Sequence, residues 1–213
     1  MNSIEKEVSY NTTNSYSTLN TLTDKTKNVW FVCHGIGYLS RYFLKYFDGL
    51  NSDENYIIAP QAHSKYYLGS AYKHVGSSWL TKENTASEIE NVMNYFHSVL
   101  EAENLPSNIN LIVLGFSQGV SVAARYVAKR KLKCKQLVLL AGGIPKELNA
   151  QDFIFLKGKT KVSLIYGTQD EYLNTRFLGD AKQRFYDLFG KDAKIITFEG
   201  KHEVPKELIK KLV

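Results

Sequence analysis

From residue 28 onward the chain alternates between short apolar runs rich in β-branched residues and stretches with helical spacing. The runs are NVWFVC (28–33), NYIIA (55–59), INLIVL (109–114), QLVLLA (136–141), KVSLIYG (161–167) and KIITFEG (194–200). Several are apolar throughout rather than alternating, the pattern of a strand covered on both faces. The clearest helix spans 85–103, with Ala86, Ile89, Val92, Met93, Phe96, Val99 and Leu100 on one stripe. Thr85-Ala86-Ser87-Glu88 reads as a capping box at its start. Further helices are expected at 39–49, 118–132, 172–189 and 205–212. Strands that alternate with helices predict an α/β fold with a doubly wound, mostly parallel sheet.

The 213 residues are expected to form one domain, and a chain this long buries roughly 70% of its unfolded surface. Residues 1–26 are polar and threonine-rich and read as an edge strand or hairpin added to the sheet. The stretch 61–82 is aromatic and not helical, and it is expected to be a long loop of functional importance. The only cysteines, Cys33 and Cys134, sit in or beside apolar runs, which is not a disulfide framework. With no apolar stretch of signal-peptide or membrane-spanning length, the expected location is cytoplasmic, without integral membrane association. Net charge is +6, densest in KRKLKCK (129–135). That run follows a predicted helix, where cations suit the dipole, and no zinc spacing or aromatic RNA-binding box accompanies it. A nucleic-acid partner is therefore not expected. His34, His63 and His74 match no familiar metal spacing, so neither metal nor cofactor is expected.

Residues 115–119 read Gly-Phe-Ser-Gln-Gly, between an apolar strand and an amphipathic helix. The bare Gly-x-Ser-x-Gly spacing is weak, and Ser117 could be a turn residue. The setting sharpens it, because a sharp strand-to-helix turn is what exposes a nucleophilic serine at the end of a sheet. A serine hydroxyl needs a base, and in this arrangement an acid and then a histidine follow it in the chain. His202 is the only histidine after Ser117. Asp170 follows the strand that ends at Gly167, with Glu171 as its neighbouring competitor. The Gln118 amide, at a helix N-terminus, is one expected oxyanion donor. His34-Gly35-Ile36-Gly37 supplies the early strand-to-helix loop, with Ile36 as the second donor and Gly35 allowing close approach. A dinucleotide site there lacks its third glycine and its acidic residue. The stretch 63–80 is either a core cover or a pocket wall, with Trp79 beneath the site and Tyr66, Tyr67 and Leu68 nearer the substrate.

On these residues the chain resembles the carboxylesterase/phospholipase family of small serine hydrolases, which includes bacterial carboxylesterases and acyl-protein thioesterases. The matching pieces are His34-Gly35-Ile36-Gly37, Ala59-Pro60-Gln61, Trp79, GFSQG, Asp170 and His202-Glu203. The resemblance runs from about residue 28 to the C-terminus. It implies a three-layer α/β-hydrolase without a large cap, with Ser117, Asp170 and His202 as the triad and Ile36 and Gln118 as oxyanion donors. Substrate contacts are expected from Gly35, Gln61, Tyr66, Tyr67, Leu68 and Trp79. The implied activity is cleavage of short- to medium-chain esters through an acyl-enzyme, without a cofactor. Thioesterase or lysophospholipase action, or a silent small-molecule binder on the same fold, are the alternatives. The expected partner is a small acyl ester or thioester, with a homodimer possible. Tyr38-Leu39, Leu80-Thr81 and Lys201 depart from the family pattern, all near the expected pocket rim.

Overall fold

The computed structural model describes residues 3–172 and 175–213. In chain order the elements are β1 (Tyr16–Leu19), β2 (Asn28–Cys33), α1 (Ser40–Phe43), β3 (Asn55–Pro60), β4 (Ser64–Leu68), β5 (His74–Ser78) and α2 (Thr85–Glu103). Then follow β6 (Asn110–Phe116), α3 (Gln118–Lys129), β7 (Gln136–Leu140), α4 (Ala150–Phe153), β8 (Lys161–Gly167), α5 (Thr175–Phe189), β9 (Lys194–Phe198) and α6 (Lys206–Lys210). Seven strands form one sheet in the order β1-β3-β2-β6-β7-β8-β9. All neighbours run parallel except β1, which pairs antiparallel with β3 as an edge strand.

Period-two alternation divides the apolar strands between two cores. Val29, Phe31 and Cys33 of β2 face the layer of α2, α3, α4 and α5, whereas Trp30 and Val32 face α1 and α6. Both faces of the sheet are thus covered, which explains why several of the runs are apolar through their middles. Phe96 of α2 packs edge-on against Phe31 and Trp79, with ring centroids 5.1 Å apart in each case. No helix of the described residues is long and apolar enough to cross a membrane.

The structure differs from the sequence reading in three places. Helix α2 spans 85–103 as expected, but its capping box does not form. The preceding residue, Asn84, has φ +46°, whereas a side-chain cap requires an extended residue there. Thr85 Oγ1 instead donates to Thr81 O, and Glu88 bonds His63. The helix expected over 39–49 is one turn, Ser40–Phe43, continued by a 3-10 turn at Leu44–Tyr46. The expected long loop holds an antiparallel hairpin, β4 with β5, in which Tyr66 pairs with Gly76. All five β4 residues are exposed, so no buried face imposed the alternation that marks a strand. Residues 173–174 of the expected 172–189 helix lie outside the described residues.

Candidate active site

β6 ends at Phe116 and α3 begins at Gln118, so the whole reversal falls on Ser117. Ser117 takes φ +53° and ψ −119°, a region that non-glycine residues avoid, at a strain of order 1–3 kcal/mol. Its amide donates to Leu140 O at 2.9 Å, which anchors the turn to the neighbouring strand. The flanking glycines are set by contact. A Cβ on Gly115 would lie 2.5 Å from Gly119 O, and one on Gly119 would lie 2.0 Å from Cys33 O. The helix is therefore seated directly on β2 and β6, and the serine stands at the carboxyl edge of the sheet.

Two more strand ends converge there. After β8, Thr168 N donates to Phe198 O and Gln169 N to Gly200 O, each at 2.9 Å, tying the β8 and β9 loops together. Asp170 and His202 are brought face to face by that pairing. His202 Nδ1 lies 2.8 Å from Asp170 Oδ2, and His202 Nε2 lies 2.9 Å from Ser117 Oγ. A carboxylate only accepts, so Nδ1 carries the proton and Nε2 offers its lone pair to the serine hydroxyl. The Asp170 side chain is fully buried, and its other oxygen accepts from Tyr172 N at 3.0 Å. Glu171, the competitor, is exposed. The imidazole is held between Phe116 and Tyr172, at centroid distances of 5.1 and 4.7 Å.

Opposite lies the loop after β2. Ile36 is exposed and borders the same cleft as Gln118, and among the described residues neither amide donates a hydrogen bond. His34 fixes this loop from below. Its Nδ1 donates to Gly35 O at 2.8 Å, and its Nε2 accepts from Ala62 N at 3.2 Å. Burial lowers its pKa from 6.5 to about 4, so the ring stays neutral. The Gln118 side chain does separate work. Its Oε1 accepts from Trp79 N at 2.8 Å, and its Nε2 donates to Leu80 O at 2.8 Å and to Ser78 Oγ at 2.9 Å.

The expected pocket wall needs correction. Trp79 is beneath the site, as expected, but it is fully buried and touches no cleft; its ring lies 4.8 Å from His34 and its Nε1 donates to His34 O. Gln61 is also buried, accepting from Ser40 N and donating to Ala62 O and Ser77 Oγ. Both pin backbone, and neither is among the residues that line the cleft. Tyr66, Tyr67 and Leu68 are exposed on the hairpin and do not line the cleft. Tyr66 and Leu68 stand over Gly37, within 4 Å of where a Cβ there would sit.

The cleft of about 500 Å³ is lined by Gly35, Ile36, Ser117, Gln118 and His202, and most of its remaining wall comes from residues the sequence reading did not single out. Phe116 and Ser121 flank the elbow, and Ala141, Gly142 and Gly143 come from the end of β7. Tyr38 and Tyr172 close its sides. The Ala-Gly-Gly at the carboxyl end of an apolar strand was the available signal for part of this wall. Burial, with a hydrogen bond to Tyr46, pushes the Tyr38 pKa up to about 12, so it stays protonated. Among the described lining residues there is no carboxylate or lysine, which favours an uncharged reacting group.

Comparison with known proteins agrees with this architecture. Zea mays acyl-protein thioesterase 2 superposes with a TM-score of 0.70 at 14% identity, covering 93% of this chain and 96% of that one. A phospholipase/carboxylesterase from Dyadobacter fermentans gives 0.63 at 18% identity, covering 95% and 97%. Esterase PE8 gives 0.66 at 19% identity, covering 94% and 99%. At such identities the likeness speaks for the fold. No curated protein matches the chain. The sequence model of the phospholipase/carboxylesterase family matches residues 14–213, and this chain is accordingly a member of that family, with its α/β-hydrolase fold.

Proposed function

We propose that this chain is a serine hydrolase that cleaves short- to medium-chain carboxylic esters through an acyl-enzyme. The observation that carries the reading is the continuous chain of hydrogen bonds from Asp170 through His202 to a strained, exposed-edge Ser117. Ser117 Oγ attacks the ester carbonyl as His202 Nε2 takes its proton. The Ile36 and Gln118 amides donate to the oxyanion of the tetrahedral intermediate. His202 then returns the proton to the departing alcohol. Water, deprotonated by the same nitrogen, releases the acid and restores the serine. Asp170 holds the Nδ1–H tautomer and stabilises the imidazolium as it forms. The chemistry calls for no cofactor.

The neutral cleft accepts a thioester carbonyl equally well, and a neighbour named as an acyl-protein thioesterase keeps that reading beside ester cleavage. The test is labelling with a fluorophosphonate probe, followed by a chain-length series of nitrophenyl esters and matched thioesters. Labelling and turnover are expected in the native protein, and both are expected to fall by about four orders of magnitude or more in Ser117→Ala. A native protein that neither labels nor turns over any member of the series would replace this reading with that of a silent small-molecule binder.

A further inference from the structure

The amino ends of β7, β8 and β9 lie at the opposite edge of the sheet from Ser117. There the structure has its larger cavity, about 730 Å³ against about 500 Å³ for the hydrolytic cleft. Its apolar wall comes from Phe153 and Leu156 near α4, Leu188 and Phe189 at the end of α5, Ile196 of β9, and Leu212. The Phe153 and Phe189 rings pack together at 4.6 Å on the α4–α5 face of the sheet, whereas Ile196 and Leu212 pack on the other face, so the wall wraps around the sheet edge.

Its rim is cationic. Lys157, Lys161, Lys191, Lys194 and Lys211 line the cavity, and Asp187 and Asp192 are the only carboxylates among the described lining residues. Asp187 is engaged by Gln183 Nε2 at 2.8 Å. Among the described residues none of the five lysines is within 4.0 Å of a carboxylate, unlike Lys27, Lys129, Lys206 and Lys210, which are paired elsewhere. The rim thus carries an excess of three positive charges, half of the net +6 of the whole chain. Lys161 and Lys194 are the first residues of β8 and β9; Lys194 is in register with Ser163, two residues from Lys161, so alternation puts both lysines on one face of the sheet near this end. One sign of charge around a low-dielectric cavity focuses its field onto whatever enters.

We propose that this cavity is a second binding site, for a single-chain amphiphile with an anionic head, such as a fatty carboxylate. The alkyl chain lies on the phenylalanine and leucine floor, and the lysines hold the head at the rim. A cavity of this volume is in the range that encloses a small ligand. The site is independent of hydrolysis, since it shares no lining residue with the cleft at Ser117.

The test is a titration of the full-length, 15N-labelled protein with octanoate, decanoate, dodecanoate and decanol, followed by amide chemical shifts. Expected are saturable shifts centred on Gly158, Thr160 and Gly190, with affinity rising about fourfold per added methylene. Decanoate should bind at least tenfold more tightly than decanol, and raising salt should weaken decanoate alone. Lys161→Glu with Lys194→Glu should abolish that difference. Salt and the alcohol control decide the matter even if the double variant fails to fold. Shifts confined to Gly35, Gly142 and Gly143, decanol binding as tightly as decanoate, or no shift at millimolar ligand would each overturn the proposal.

Discussion

The elbow and the β4–β5 hairpin are built on opposite principles. The elbow is clamped from every direction: Gly115 and Gly119 leave no room for a Cβ, Ser117 N is bonded to β7, and the ring of His202 is held by two aromatic neighbours. In the hairpin, by contrast, β4 and the tip stand in solvent, with Tyr67, Tyr72 and Leu68 exposed, and only Gly76–Ser78 of β5 are buried. Tight packing transmits any change in shape, whereas an exposed strand absorbs it. The arrangement places Ser117 and His202 where atoms are over-determined and leaves the exposed strand free to vary.

The sharpest way to break this contrast is to add one methyl group to the clamped side. Gly119→Ala places a Cβ against the Cys33 carbonyl and should cost about 3 kcal/mol or more. A denaturation midpoint unchanged from the native protein would show that the elbow is not clamped. Acid should act nearly as strongly through His34. The unfolded chain protonates this histidine below 6.5, but the folded one holds it neutral until about 4. Its contribution is therefore fully present above pH 6.5 and is lost as the pH falls through about 4. The loss is about 3 kcal/mol. Unfolding free energies measured from pH 7 to pH 4 should show a slope that His34→Asn flattens; an equal slope in both proteins would assign the acid sensitivity elsewhere.

The seam between the two sides is the Gln118 side chain. Gln118→Ala leaves Trp79 N–H without its partner, while Leu80 C=O keeps Ser78 Oγ, and should cost about 2 kcal/mol, with faster amide exchange at Trp79. Exchange at Trp79 that stays slow would mean the hairpin is held by its own contacts. On the open side, Tyr67→Ala should change stability by less than about 0.5 kcal/mol. A larger loss would show that the hairpin carries more of the fold than its exposure implies, and thermal denaturation would register it.

How much of this was legible depended on how local each cause is. The six strands and the helix at 85–103 were readable, because apolar runs and a 3.6-residue stripe are properties of neighbouring residues. The positions of Ser117, Asp170 and His202 at strand ends were readable for the same reason. The hairpin was not, since a strand with no buried face has no alternation to read. The failed cap at Thr85 was not, because the φ of Asn84 answers to the chain before it.

By itself, then, the sequence determined the layered architecture and the chain order of serine, acid and histidine, since periodicity and turn chemistry act over a few residues. The tertiary structure alone decided that Asp170 rather than Glu171 meets His202, through loop bonds from Thr168 and Gln169 to Phe198 and Gly200. It alone turned Gln61 and Trp79 into buried pins and made Phe116, Tyr38 and the Gly142-Gly143 turn into the cleft wall. It also gathered lysines spread over residues 157–211 around one cavity. These are contacts between residues far apart in the chain, and only the folded sheet, which brings its strand ends into register, creates them.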